Sequence, residues 1–233
     1  MAFDILYPVR PGEDNEELRW SLRTLEANFP HRRVWIVGHK PSWVSDEVGF
    51  IEGNLWGNAQ MNVYNNIRIA CEDDRLSARV GIWNDDFFVT EPMKTIKTEY
   101  RSTLREHIET RRVQLQQEQW WPVSLRTTLL ALQAHGFDDP LSYELHTPFV
   151  VNRKKMADTL NLFRYVTPEA PPQWRTLYGN MNKMGGKRRE ADVKVYADGE
   201  IKKPFHSTID RAFPLYAKRF AKAYPRPSKY ERV

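Results

Sequence analysis

Apolar residues in this chain fall into short continuous runs that alternate with longer stretches of helical spacing. Phe3 to Val9 is such a run and reads as a buried strand, with "RPGED" after it as a turn. Asp14 then reads as a helix cap with Glu17 as its capping-box partner. Leu18, Leu22, Leu25 and Phe29 recur at helical spacing until Pro30 ends the element. "RRVWIVG" (32–38) is a second strand bounded by Gly38, and a weaker one lies near 48–53. Residues 58–71 form a helix candidate. "ARVGIW" (78–83) is a further β-rich run that leads straight into Asn84, Asp85 and Asp86.

The second half is more charged. Residues 98–119 read as a helix with a narrow apolar stripe of Tyr100, Leu104 and Ile108, and "WWP" (120–122) as a break before another helix over 124–135. "LSYELHTPFVV" (141–151) reads as extended, and Asn152 as the cap of a helix carrying Met156, Leu160 and Phe163. The Pro cluster at 168–172 marks a linker. Ser207 reads as the cap of a final helix with Ile209, Phe213, Tyr216 and Phe220. There is no internal repeat. Short strands alternating with amphipathic helices predict an α/β layered domain with a largely parallel sheet.

Composition narrows the class. At 233 residues, with 41% hydrophobic and 12% aromatic content, the chain can build one sizeable core. Its one cysteine, Cys71, excludes an intramolecular disulfide framework and any multi-Cys zinc site. No apolar run reaches the roughly 20 residues needed to span a bilayer, and the N-terminus lacks a signal-peptide pattern. The expectation is a soluble cytoplasmic protein. The net charge of +5 is uneven: residues 1–173 carry 20 Lys and Arg against 24 Asp and Glu, while residues 174–233 carry 15 against 6. A basic final quarter is either a surface for a polyanion or a solvated charged helix.

Ligands of open α/β sheets bind where strands end at their carboxyl edges. Three features fall at such points: Pro8 to Gly12, Gly38 to Lys40, and Asn84 to Asp86. Arg10 is suited to grip a phosphate, and the helix starting near Asn15 offers free N–H groups beside it. Two carboxylates next to a diphosphate would need a divalent cation between them, and oxygen ligands suit Mg²⁺ or Mn²⁺. The alternative is a plain polar turn. Asn58, Asn62 and Asn66 share one helix face, either lining a sugar or nucleotide pocket or facing solvent. His146 is a candidate metal ligand, phosphate contact or packed histidine, and Glu144 a candidate base. No P-loop or dinucleotide fingerprint is present.

The ordered set "FDILYPVRPGEDNEELRWSLRTLEANFPHRRVWIVGHKPSWV", the Asn-rich helix, "NDDFFV" and "LSYELHTPFVVNRKKM" resembles phage-encoded glycosyltransferase-like proteins with a GT-A-type fold. It is also similar to the Stealth family of sugar-1-phosphate transferases. The resemblance covers roughly residues 3–90 and 124–165. It implies a GT-A-like nucleotide-sugar-binding catalytic domain over 1–173, with a helical insertion at about 95–123, and a basic segment, 174–233, packed on the same domain. It also implies a metal-dependent glycosyltransferase using a nucleotide-diphosphate sugar and Mn²⁺ or Mg²⁺. Carried over from the Asp-x-Asp motif, Asp86 is the metal ligand, joined by His146, and Asp85 is a ribose, sugar or second metal contact. Asn84 stands where that motif has its first Asp. Glu144 and Asp85 are the catalytic candidates; Pro8, Arg10, Gly38, Asn84 and the three helical asparagines are the donor contacts. The basic segment suits an acceptor such as DNA carrying a hydroxymethylated base, or a virion protein. The alternatives are sugar-1-phosphate transfer and a non-catalytic nucleic-acid-binding module on the same scaffold.

Overall fold

The structure, a computed structural model, describes residues 2–163 and 169–232. The first half builds the sheet: β1 (Asp4–Val9), α1 (Glu16–Asn28), β2 (Val34–Gly38), β3 (Gly49–Glu52), α2 (Ala59–Glu72), β4 (Arg79–Ile82) and β5 (Phe87–Val89). Then come β6 (Glu99–Tyr100), β7 (Ser102–Thr103), α3 (Leu104–Glu109), α4 (Arg112–Gln116), α5 (Trp120–Gln133), β8 (Leu141–Ser142), β9 (Phe149–Asn152) and α6 (Arg153–Leu162). The chain ends with α7 (Trp174–Met181), β10 (Lys187–Arg188), β11 (Lys194–Val195), β12 (Phe205–Thr208) and α8 (Phe213–Ala223).

The main sheet has the order β3-β2-β1-β4-β9, parallel except for β9. Strands covered on both faces need apolar residues at every position. In β1, Ile5, Tyr7 and Val9 therefore point into a cluster with Leu18, Leu22 and Leu25 of α1, while Leu6 points to the opposite side against α2, α5, α6 and α7. A second sheet, β11-β12-β5, extends from the end of β4, with β12 antiparallel to β5. Phe213, Tyr216 and Phe220 of α8 seal it by packing on Phe88 and on Trp20 of α1. Among the described residues no helix is long and apolar enough to cross a membrane.

Several local readings are corrected. Asn15, not Asp14, caps α1: its side chain accepts from the Leu18 N–H at 3.1 Å, and Glu17 turns inward instead of closing a capping box. Residues 98–119 are not one helix. They start as β6 and β7, and α3 begins only at the Thr103–Glu106 capping box. "WWP" opens α5, because Pro122 lies in the first turn, where an N–H has no intrahelical partner. Ser207 is buried inside β12, and α8 starts six residues later with Pro214 in its first turn. Pro168 lies outside the described residues. Pro171 and Pro172 are buried, with the Pro171 carbonyl accepting from Ser124 of α5.

The charge asymmetry has a structural counterpart. Lys194, Arg189, Arg188, Lys203 and Arg232 of the basic quarter pair with Asp86, Glu99, Glu106, Glu91 and Asp46 of the acidic body. Among the described residues, five of the segment's fifteen cations are thus paired with carboxylates of the rest of the chain.

Candidate functional site

Between β1 and β4 the strand order reverses, since β1 leads outward to β2 on one side and β4 lies on the other. The carboxyl ends of these neighbours, Val9 and Ile82, open the crevice where such sheets bind ligands. Gly38 ends β2 alongside. Its φ of +102° suits glycine, and a Cβ there would meet the Val9 carbonyl oxygen at 2.5 Å. Gly38 thus lets β1 and β2 finish side by side. Pro8 lies within β1, opposite Val37, rather than in the following loop.

Asn84 to Asp86 form the tight turn from β4 into β5, closed by the Phe87 N–H on the Asn84 carbonyl at 3.2 Å. What Asp86 meets follows from strand register. Phe87 pairs with Ser207 across β5 and β12, and Ser207 pairs with Lys194 across β12 and β11. Both reach the same carboxylate: the Ser207 hydroxyl donates to Asp86 Oδ2 at 2.7 Å and Lys194 Nζ at 3.1 Å. Asp86 is only 6% exposed. Asp85 is half-buried and accepts from Asn15 Nδ2 at 3.1 Å, so one asparagine caps α1 and fixes the turn. Burial and the neighbouring Asp86 raise the Asp85 carboxyl. Glu17, beside Thr208, is pushed up to about 8 by burial and by both aspartates.

Two cavities flank this corner. One, of about 370 Å³, is bordered by Arg10, Glu17, Asp210 and Phe213. Arg10 pairs with Asp210 at 2.9 Å, both largely exposed. The other, of about 460 Å³, is bordered by Arg101, Arg111, Trp121, Glu144, His146 and Asp192. His146 Nδ1 lies 2.6 Å from Asp192 Oδ2, and its backbone N–H donates to Oδ1 at 3.0 Å. Burial alone would raise Asp192, but His146 holds it far below the usual carboxylate range. Glu144 is buried, and its Oε1 accepts from the Thr176 hydroxyl at 2.9 Å and the Thr176 N–H at 3.3 Å. Burial raises its carboxyl against the pull of Arg175.

Arg175 joins the two halves. It is 8% exposed, stacks on Trp174 at 4.2 Å, and reaches Asn84 Oδ1 with Nη2 at 3.4 Å; its Nε has no hydrogen-bond partner. Burial lowers its pKa, opposed by Glu144, Asp86 and Asp192.

Arg10 borders one cavity and Glu144 and His146 border the other, with Asn84, Asp85 and Asp86 in the turn after β4. The asparagines of α2 are engaged elsewhere: Asn58 caps the helix, Asn62 bonds both backbone groups of Gly57, and buried Asn66 accepts from the Asn54 N–H at 2.6 Å. They hold the loop after β3 instead of presenting a free polar stripe. Asp86 and His146 do not assemble as a pair of metal ligands, since Asp86 faces a lysine ammonium and His146 Nδ1 faces Asp192. Among the described residues no three His, Cys, Asp or Glu side chains come together in a way that could hold a metal ion. With Asp86 Oδ2 taken by Lys194 and Ser207 and an amide at Asn84, the turn fits Mn²⁺ or Mg²⁺ less well than an Asp-x-Asp motif would. Sequence reasoning misses Lys194, Arg175, Ser207 and Asp192; all lie in the basic segment, the first three far along the chain from the turn they meet and Asp192 far from His146.

No protein-family model matches the sequence, and no curated protein matches it. Among solved structures, the galactosyltransferase LgtC, crystallised with donor and acceptor sugar analogs, aligns over 97% of this chain and 96% of its own, with 12% identity and a TM-score of 0.53. The fold is that of a GT-A glycosyltransferase. An active-site mutant of LgtC aligns with a TM-score of 0.44 at 13% identity, over 94% of each chain. The apo-form glycosyltransferase GlyE of Streptococcus pneumoniae TIGR4 aligns with a TM-score of 0.42 at 9% identity, over 82% of this chain and 45% of its own.

Proposed function

We propose that this protein transfers a sugar from a nucleotide-diphosphate donor to a hydroxyl acceptor. The observation that carries the reading is the polar cluster around Asn84 to Asp86, set at the β1–β4 switch point of a GT-A fold. The donor's nucleotide end enters the cavity beside Arg10, and its diphosphate lies toward the β4 turn. The acceptor enters the cavity on the far side, where His146 meets Asp192.

His146 is better suited than Glu144 to take the acceptor proton. Its Nδ1–H is donated to the ionised Asp192, which leaves Nε2 as the proton-accepting nitrogen and fixes the ring. Glu144, read from sequence as the base, has Oε1 occupied by Thr176 and holds the start of α7 in place. His146→Ala is expected to lower kcat by roughly 10²-fold or more, as for loss of a general base, with donor affinity little changed. Nucleotide sugars, screened by mass spectrometry against hydroxymethylated DNA, virion proteins and saccharides, give the direct test. Release of a nucleoside diphosphate is the expected outcome. Release of a monophosphate identifies sugar-1-phosphate transfer instead, and a chain that neither binds nor consumes any nucleotide sugar refutes the reading.

A further inference from the structure

A carboxylate cannot face a diphosphate directly, so some positive charge must lie between Asp86 and the donor that the proposed function brings to this corner. Three independent features say where that charge comes from. The ammonium of Lys194 already sits 3.1 Å from Asp86 Oδ2, with the Ser207 hydroxyl on the same oxygen, so a side-chain cation already stands against that oxygen of Asp86. The turn is also poorer in carboxylates than an Asp-x-Asp motif: Asn84 is a neutral amide, and Asp85 Oδ2 is engaged by Asn15. Beside the same turn, Arg175 is more than nine-tenths buried, stacks on Trp174, bonds Asn84 at 3.4 Å, and keeps a buried Nε–H with no partner. A buried guanidinium with an unfilled donor is costly unless an anion completes it. Its planar fork suits phosphate oxygens.

We infer that Lys194 and Arg175 form a metal-independent clamp for the donor's diphosphate. Lys194 neutralises Asp86 and offers its other two N–H bonds to phosphate oxygens, while the Arg175 guanidinium, whose Nη2 reaches the Asn84 amide, adds the second positive charge. Glu17, a further carboxylate beside the two aspartates, is held protonated at neutral pH and does not add a repelling charge. The inference rests on the proposed donor chemistry and goes beyond it by assigning the groups that bind the phosphates.

Calorimetric titration of the whole chain with UDP, GDP, ADP, CDP and dTDP, each in EDTA and again in Mn²⁺, tests it. One diphosphate is expected to bind about equally well in both. Lys194→Ala and Arg175→Ala should each weaken that binding at least about tenfold, the loss expected for one charge-assisted hydrogen bond, and Lys194→Arg should largely keep it. If Lys194→Ala does not fold, the volume-keeping pair Lys194→Met with Asp86→Asn removes both charges together and serves in its place. Binding that vanishes in EDTA and returns with Mn²⁺ overturns the clamp while leaving the donor reading intact. No binding of any of the five under either condition removes the donor reading, and the clamp with it.

Discussion

Residues of one type on one helix face can serve unrelated ends, as Asn58, Asn62 and Asn66 show. Spacing alone places them together, but their partners are a helix start, a glycine backbone and a buried loop N–H. Asn66→Ala should cost about 1–3 kcal/mol, because it strands the Asn54 N–H without its acceptor; urea unfolding measures it, and an unchanged midpoint would contradict that role. Glu17 supplies a pH signature. Its folded pKa of about 8 lies above the ordinary 4.5, so the folded state holds the proton more tightly than the unfolded one. Stability therefore falls as pH rises from about 4.5 to 8. Glu17→Gln keeps the shape of the protonated acid and should flatten that slope. At pH 9 the variant should exceed the parent by roughly 2 kcal/mol, less than half of what the full shift converts to. Matching pH profiles for the two proteins would remove Glu17 from this role. The acidic turn itself is legible from its residues; its cationic partners are not. Lys194 is 108 positions from Asp86, and only the β5–β12–β11 register brings them together.

Elements are legible where one physical signal dominates. The buried runs of β1, β2 and β4, and the periodic faces of α1, α2 and α6, lie within a residue or two of the sequence reading. Errors arise where two signals compete. Pro122 reads as a breaker, although in the first turn of α5 it removes no hydrogen bond. Ser207 reads as a cap because serine favours helix starts, whereas its hydroxyl is spent on Asp86 inside a buried strand. The two-residue strands carry too few positions for any periodicity to show. The start of α1 gives a direct comparison of cap assignments. Asn15→Ala should lose about 1–2 kcal/mol, the usual worth of an N-cap, while Asp14→Ala, exposed and outside the helix, should leave the thermal midpoint unchanged. The reverse order would restore Asp14 as the cap.

At the scale of the whole molecule, a −4 body and a +9 final quarter make the basic segment look like a surface for an outside polyanion. The structure pairs part of that charge with carboxylates of the body. A buried tie runs with the opposite polarity: Glu231 of the final quarter accepts from Arg23 Nε and Nη2 of the body at 2.7 Å each, from Arg19 Nη1 at 3.0 Å and from the Ser228 N–H at 2.8 Å. It thereby straps the chain end to α1, the helix whose start fixes Asp85. Burial alone would raise the Glu231 carboxyl, but Arg23, the Ser228 N–H and Arg19 bring it down to about 2. A carboxylate depressed in this way contributes its full stability above the unfolded pKa near 4.5 and loses it as pH falls toward 2. Glu231→Gln leaves the mostly buried Arg23 without its charge partner, so a loss of about 3 kcal/mol is expected at pH 7. For a chain of this size that lowers Tm by roughly 6–12 °C. The gap between variant and parent should close as pH drops below about 4. Lys203→Ala, which removes an exposed pair with Glu91, should leave Tm unchanged and serves as the surface control. Equal Tm values for Glu231→Gln and the parent at pH 7 would mean that the strap adds nothing.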